Sequence, residues 1–135
     1  MGAWGVGPFD NDTAADWLAE LEELGEAAIR DALTAAADPG DDAYIEIDAA
    51  AEALAAAEIV AASCGHAAPS LPAAALAWVG AHGVPPDDLV ELALGAAKRV
   101  GDASELRELW DEAANPAWLT AVHDLRFRLG DVLAT

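Results

Sequence analysis

Basic residues are scarce: six Lys and Arg stand against 25 Asp and Glu in 135 residues, a formal net charge of −19 at pH 7. Nucleic-acid recognition rests on basic patches that neutralise phosphates and release counterions. Arg30, Lys98, Arg99, Arg107, Arg126 and Arg128 are too few and too dispersed to form one. The same deficit argues against anionic membrane surfaces. Cysteine is nearly absent, so the lone Cys64 excludes both an intramolecular disulfide and a Cys-based zinc cluster within one chain. Its place in "EIVAASCG" predicts a small buried side chain rather than a nucleophile. No cationic stretch leads into an apolar signal region, and no uninterrupted apolar run reaches the roughly 18 residues of a membrane span. The longest candidate, near residues 53 to 64, is interrupted by Glu58. A soluble, cytoplasmic protein is expected. Alternating β-branched stretches are also missing, with "AYIEI" at 43 to 47 the one candidate for extended chain, and no repeat of fixed period is present.

What the chain has is apolar bulk in small pieces. Hydrophobic residues make up 55% of it, most of them Ala, Leu and Val. Ala combines the highest helix propensity with the smallest apolar side chain, which favours helices that approach closely. The five Trp, two Phe and one Tyr must supply much of the remaining buried area. The length suits one domain, residues 1–135, and is short for two. Acids crowd the first half: residues 1 to 60 hold 15 of them against Arg30 alone. Such a half steers basic partners or divalent cations, and it also keeps an Ala-rich chain dispersed.

Apolar periodicity predicts a compact all-α bundle of about seven helices with short loops, preceded by an irregular Gly-rich segment over residues 1–12. The first helix starts near Asp12 or Thr13, with Ala14, Trp17, Leu21 and Leu24 on one face and Glu20, Glu22 and Glu23 solvated. Gly25 interrupts it, and Ile29, Leu33 and Ala36 carry the next helix to "DPGDD" at 38 to 42. Residues 44 to 64 are apolar on more than one face, as a central helix would be. Pro72 suits the first turn of a helix through Leu76, Trp78 and Val79 that stops at Gly83. The fifth carries Asp87 and Asp88 at its positive end, Lys98 and Arg99 at its negative end, and Gly101 as its stop. Asp102 or Ser104 caps a short sixth helix bearing Leu106, Leu109 and Trp110. Asn115 and Pro116 open the seventh, whose seam is Trp118, Val122, Leu125, Leu129 and Val132. That seam is expected to pack within the fold, a monomer, or between two copies, a homodimer.

No catalytic constellation assembles from these residues. Asp10, Asn11, Asp12 and Asp16 resemble the start of a calcium loop, but Ala15 and Leu21 stand where such a loop needs Gly and Glu. A different carboxylate site for a divalent metal on Asp10, Asp12 and Asp16 is the alternative to a turn and helix cap. "GAWGVG" lacks the order and the lysine of phosphate-binding loops, and acids follow it. Gly2, Gly5 and Gly7 instead let the chain fold over the helices while Trp4 and Phe9 plug into them. His66, His82 and His123 have no second ligand at metal-binding spacing, and Ser63, Ser70 and Ser104 lie in no nucleophile elbow. Glu58, flanked as "LAAAEIVAA", needs a cation, for which Arg107, Arg126 or Arg128 is available.

The opening "MGAWG.G.FDND.A.DW", carried by residues 1 to 17, resembles the start of a bacterial family classed as domain of unknown function 4259. "ALAAAEIVAA" at 53 to 62, "ELRELW" at 105 to 110 and the tryptophan-led helix from Trp118 to Leu129 resemble it too. The resemblance implies a small, single-domain, mainly helical protein with no established activity or catalytic residues. The leading expectation is therefore a non-enzymatic acidic module that binds a basic protein as an inhibitor, immunity-type protein or adaptor, without a cofactor. Its contact residues would be Trp4, Phe9, Asp10, Asn11, Asp12, Asp16, Trp17, Glu20 and Glu23. The alternative is a metal-dependent hydrolase or nucleotide-binding enzyme built on the N-terminal aspartates.

Overall fold

The computed structural model describes residue 9 and residues 11–37, 44–68 and 71–134. Among them are seven helices: α1 (Asp12–Leu24), α2 (Glu26–Ala37), α3 (Ile47–Ser63), α4 (Ala73–His82), α5 (Asp87–Asp102), α6 (Glu105–Glu112) and α7 (Ala117–Ala134). The expected all-α bundle is thus the observed one. Of the N-terminal plug, Trp4 and the glycines lie outside the described residues, while Phe9 is part of the core.

α3 is the axis of the bundle. From Ala50 to Ala62 every residue except Glu52 is buried, and α1, α2, α4, α5, α6 and α7 all pack on it. Alanine makes this possible, because a helix surrounded on all sides fits only where its side chains let neighbouring backbones come close. α7 lays Trp118, Val122, Leu125 and Leu129 into the core and packs mainly on α5, so the predicted seam is satisfied within the chain.

Local chemistry sets most boundaries. Asn11 Oδ1 accepts from the Ala14 amide at 2.8 Å, capping α1, and Asp12 belongs to its first turn. Gly25, at φ 65°, ends α1 and donates its N–H to the Leu21 carbonyl, a backbone conformation that glycine adopts without strain. Ser104 Oγ donates to the Val100 carbonyl at 2.8 Å and accepts from the Arg107 amide at 3.0 Å, joining the end of α5 to the start of α6. Asn115 Oδ1 accepts from the Ala117 amide at the start of α7.

Three expectations need correction. The central helix begins at Ile47 rather than near residue 44: Ile45 is buried, its carbonyl accepts from the Glu105 amide, and Glu105 Oε1 accepts from the Ile47 amide at 2.7 Å. α6 therefore holds 44–46 out of the helix and caps α3 from a distance. Gly101 does not stop α5, which runs on to Asp102. A Cβ on Gly101 would meet Val122 Cγ1 at 2.9 Å, so glycine is there to let α7 approach. Pro72 stands at the N-cap of α4 rather than in its first turn.

Candidate functional site

The acids outlast their neutralisation. Of the six basic side chains, Arg30 pairs with Glu26 and Asp88, Arg107 with Asp111, Arg126 with Asp102, and Arg128 with Glu58 and Asp124. The acidic surface that results has two parts, which meet at the amino end of α3.

The first part lies between α1 and α3. Thr13 Oγ1 donates to Asp48 Oδ1 at 3.0 Å, tying the two helices together across their exposed edge. Partial burial, and then the charges of Glu20 and Asp48, push the Glu52 carboxyl above the ordinary carboxylate range. Asp12, Asp16, Glu20, Glu22 and Glu23 are exposed on α1. Asp12 and Asp16 are one turn apart, and Asp10 lies outside the described residues, so the aspartate triad is not described whole. Among the described residues no group of three or more His, Cys, Asp or Glu side chains is arranged to hold a metal ion.

The second part is a shallow hollow of about 690 Å³ between the extended residues 44–46 and α6. Ile47 and Leu109 give it an apolar floor, and Glu105, Glu108, Asp111 and Glu112 line it. Tyr44 stands at its edge, its hydroxyl donating to Glu108 Oε2 at 2.7 Å. That hydrogen bond, reinforced by desolvation and by the charges of Glu108, Glu105 and Glu46, pushes the phenol up to about 12. A neighbouring hollow of about 300 Å³ continues past Tyr44 and Glu108 to Asp102 and Arg107. Arg107 does not neutralise it freely, because its Nε donates to Asp111 and its Nη1 to the Gly101 carbonyl.

Sequence reasoning placed its candidate contacts elsewhere. Trp17 is 2% exposed and Phe9 is buried, both serving the core, while Asn11 is a helix cap. Glu20 and Glu23 are exposed as expected, and Trp4 and Asp10 lie outside the described residues. The residues of the hollow were missed because Tyr44 and Glu108 are 64 positions apart. The one sequence signal was on α6, where Glu105, Glu108 and Glu112 recur at helical steps of three and four beside Leu109.

Glu58 found its cation in Arg128, the third of the three candidates, with both carboxylate oxygens at 2.8 Å from the guanidinium. Cys64 is half-buried rather than enclosed, at the residue where α3 ends and the chain turns toward Gly65. Burial still pushes its thiol up, away from the thiolate a nucleophile needs. No described helix is long and apolar enough to cross a membrane.

Fold and surface together define a small, all-α, strongly acidic domain that carries a hollow apolar at the floor and anionic at the walls. The chain belongs to the family described as Domain of unknown function (DUF4259), whose model matches residues 2–121. No curated protein and no solved structure matches it.

Proposed function

We propose that this chain is a non-enzymatic binding module for a basic protein, of inhibitor, immunity or adaptor type, and that it acts in the cytoplasm. The observation that carries this reading is the hollow beside α6. Ile47 and Leu109 provide the apolar contact that a protein interface needs at its centre, and Glu105, Glu108, Asp111 and Glu112 surround it with one sign of charge. The exposed acids of α1 extend the same field and would speed encounter with a positively charged partner.

Pull-down from a native lysate at low and moderate salt tests the proposal. The expected captives are basic proteins that salt releases, since screening shortens the reach of exposed charges to about 8 Å at physiological ionic strength. They should be lost when Glu108 and Glu112, or Glu20, Glu22 and Glu23, are changed to Lys. Recovery of no partner, or of the same proteins by both charge-reversed variants, overturns it.

A further inference from the structure

A third and quite different hollow, of about 110 Å³, opens where α2, α3, α4 and the turn into α5 converge. Its floor is made by Ile29, Val60 and Leu89, all at most 3% exposed. One wall is the stacked pair Trp78 and His82, with ring centroids 4.0 Å apart and planes 11° from parallel. Glu26 stands on the lining as well.

Three physical limits define what fits. The first is size: ordinary cofactor and substrate sites occupy roughly 300–1,000 Å³, whereas an apolar cavity of about 150 Å³ takes up benzene. The hollow is therefore too small for a nucleotide or an oligosaccharide and suits at most one sparsely substituted six-membered ring. The second is charge, because a chain of net charge −19 repels carboxylates and phosphates, and the one carboxylate on the lining, Glu26, has Arg30 as its partner. The third is hydrogen bonding. His82 Nδ1 lies 2.8 Å from the Trp78 carbonyl, which can only accept, so Nδ1 carries the proton and the neutral ring keeps Nε2 as an acceptor.

We infer that this hollow binds a single uncharged aromatic ring bearing a hydroxyl donor, a ligand of the phenol class. Its ring rests on Ile29, Val60 and Leu89 beside the Trp78 and His82 stack, and its hydroxyl donates to His82 Nε2. This site is separate from the acidic hollow and stands whether or not a protein partner binds there.

Amide and indole NMR of the ¹⁵N-labelled full chain, titrated with phenol and separately with benzoate, tests the inference. Phenol should cause saturable shifts at the Trp78 indole N–H and at the amides of His82, Val84 and Leu89, and benzoate should not. His82→Phe keeps a stacked ring on an exposed position but removes the acceptor, and should weaken phenol roughly three- to tenfold, as the loss of one hydrogen bond does. Trp78→Leu, which removes the wall, should weaken it further. The inference is overturned if phenol shifts fail to saturate or map elsewhere, if benzoate binds equally well, or if His82→Phe binds phenol unchanged.

Discussion

Arg128 of α7 holds Glu58 of α3 through both Nη atoms, each 2.8 Å from a carboxylate oxygen, with the glutamate side chain 3% exposed. The guanidinium is satisfied further by the His66 carbonyl through Nη1 and by Asp124 through Nε. The hydrogen bonds to Glu58 raise the pKa of Arg128 beyond its ordinary value, so the cation persists wherever the fold does. The pair pins the central helix to the last one with a bidentate geometry that gives each carboxylate oxygen of Glu58 a guanidinium partner.

Removing one partner should cost far more than removing both. Arg128→Met leaves a carboxylate uncompensated in an Ala-lined interior, and a loss of roughly 3–5 kcal/mol is expected. Glu58→Leu combined with Arg128→Met replaces the pair by apolar bulk and should recover most of that loss. Urea unfolding of the two single variants and the double variant checks this. Single variants as stable as the parent chain would mean that the pair contributes nothing to the fold.

The two glycines inside α5 should respond in opposite directions to alanine. A Cβ added to Gly95 would have nothing within 4 Å, so Gly95→Ala should gain about 0.5–1 kcal/mol from helix propensity alone. At Gly101 the same methyl group meets Val122 Cγ1 at 2.9 Å, and valine is stiff at χ1 and cannot swing aside. Gly101→Ala should therefore lose about 1–3 kcal/mol, and Val122→Ala in the same chain should reduce the difference. Thermal unfolding of the four proteins reads the signs directly.

The contrast between Gly101 and Gly25 shows what was legible in the chain. Gly25 breaks the apolar period between two helical runs, a local signal, and it does end α1 at positive φ. Gly101 follows Lys98 and Arg99 in the same manner, but its reason is a helix 21 residues further on, which no local pattern reveals. Helix number and type were readable because 3.6-residue periodicity and Pro, Gly and Asn punctuation are properties of neighbouring residues. That Glu58 needs a cation was readable from its apolar flanks. The identity of that cation was not, since it depends on how α7 is rotated against α3. The acidic hollow was hidden for the same reason: Tyr44, Ile47 and α6 are joined by hydrogen bonds that span 58 and 64 positions.

Glu52 carries a cost that pH should expose. Its carboxyl is held above the ordinary range by partial burial and by Glu20 and Asp48, so the folded chain binds this proton more tightly than the unfolded chain does. Its ionisation therefore subtracts stability as pH rises through the interval between the unfolded value, about 4.3, and the higher folded one. Glu52→Gln should stabilise the chain modestly at neutral pH and not at all below that interval. Chemical denaturation at pH 7 and at acid pH compares the two conditions, and a variant no more stable than the parent at pH 7 contradicts the assignment.

Tyr44 permits the most direct measurement, because it is the only tyrosine in the chain and its phenolate absorbs in the ultraviolet where the ionisation of no other residue interferes. Its hydroxyl donates to Glu108 at 2.7 Å, a bond the phenolate cannot make, and the surrounding Glu105 and Glu46 also oppose a negative ring. The folded pKa is raised from 10 to about 12. The contribution of this bond to stability is accordingly complete below about pH 10 and is lost as pH rises through the folded value. Spectrophotometric titration of the folded chain should give a midpoint near the raised value, and Glu108→Gln should bring it back toward that of free tyrosine, about 10. A midpoint at the ordinary value in the parent chain would show that Tyr44 does not close on α6. The wall of the acidic hollow would then be open on that side, and the surface proposed for a basic partner would have to be drawn without it.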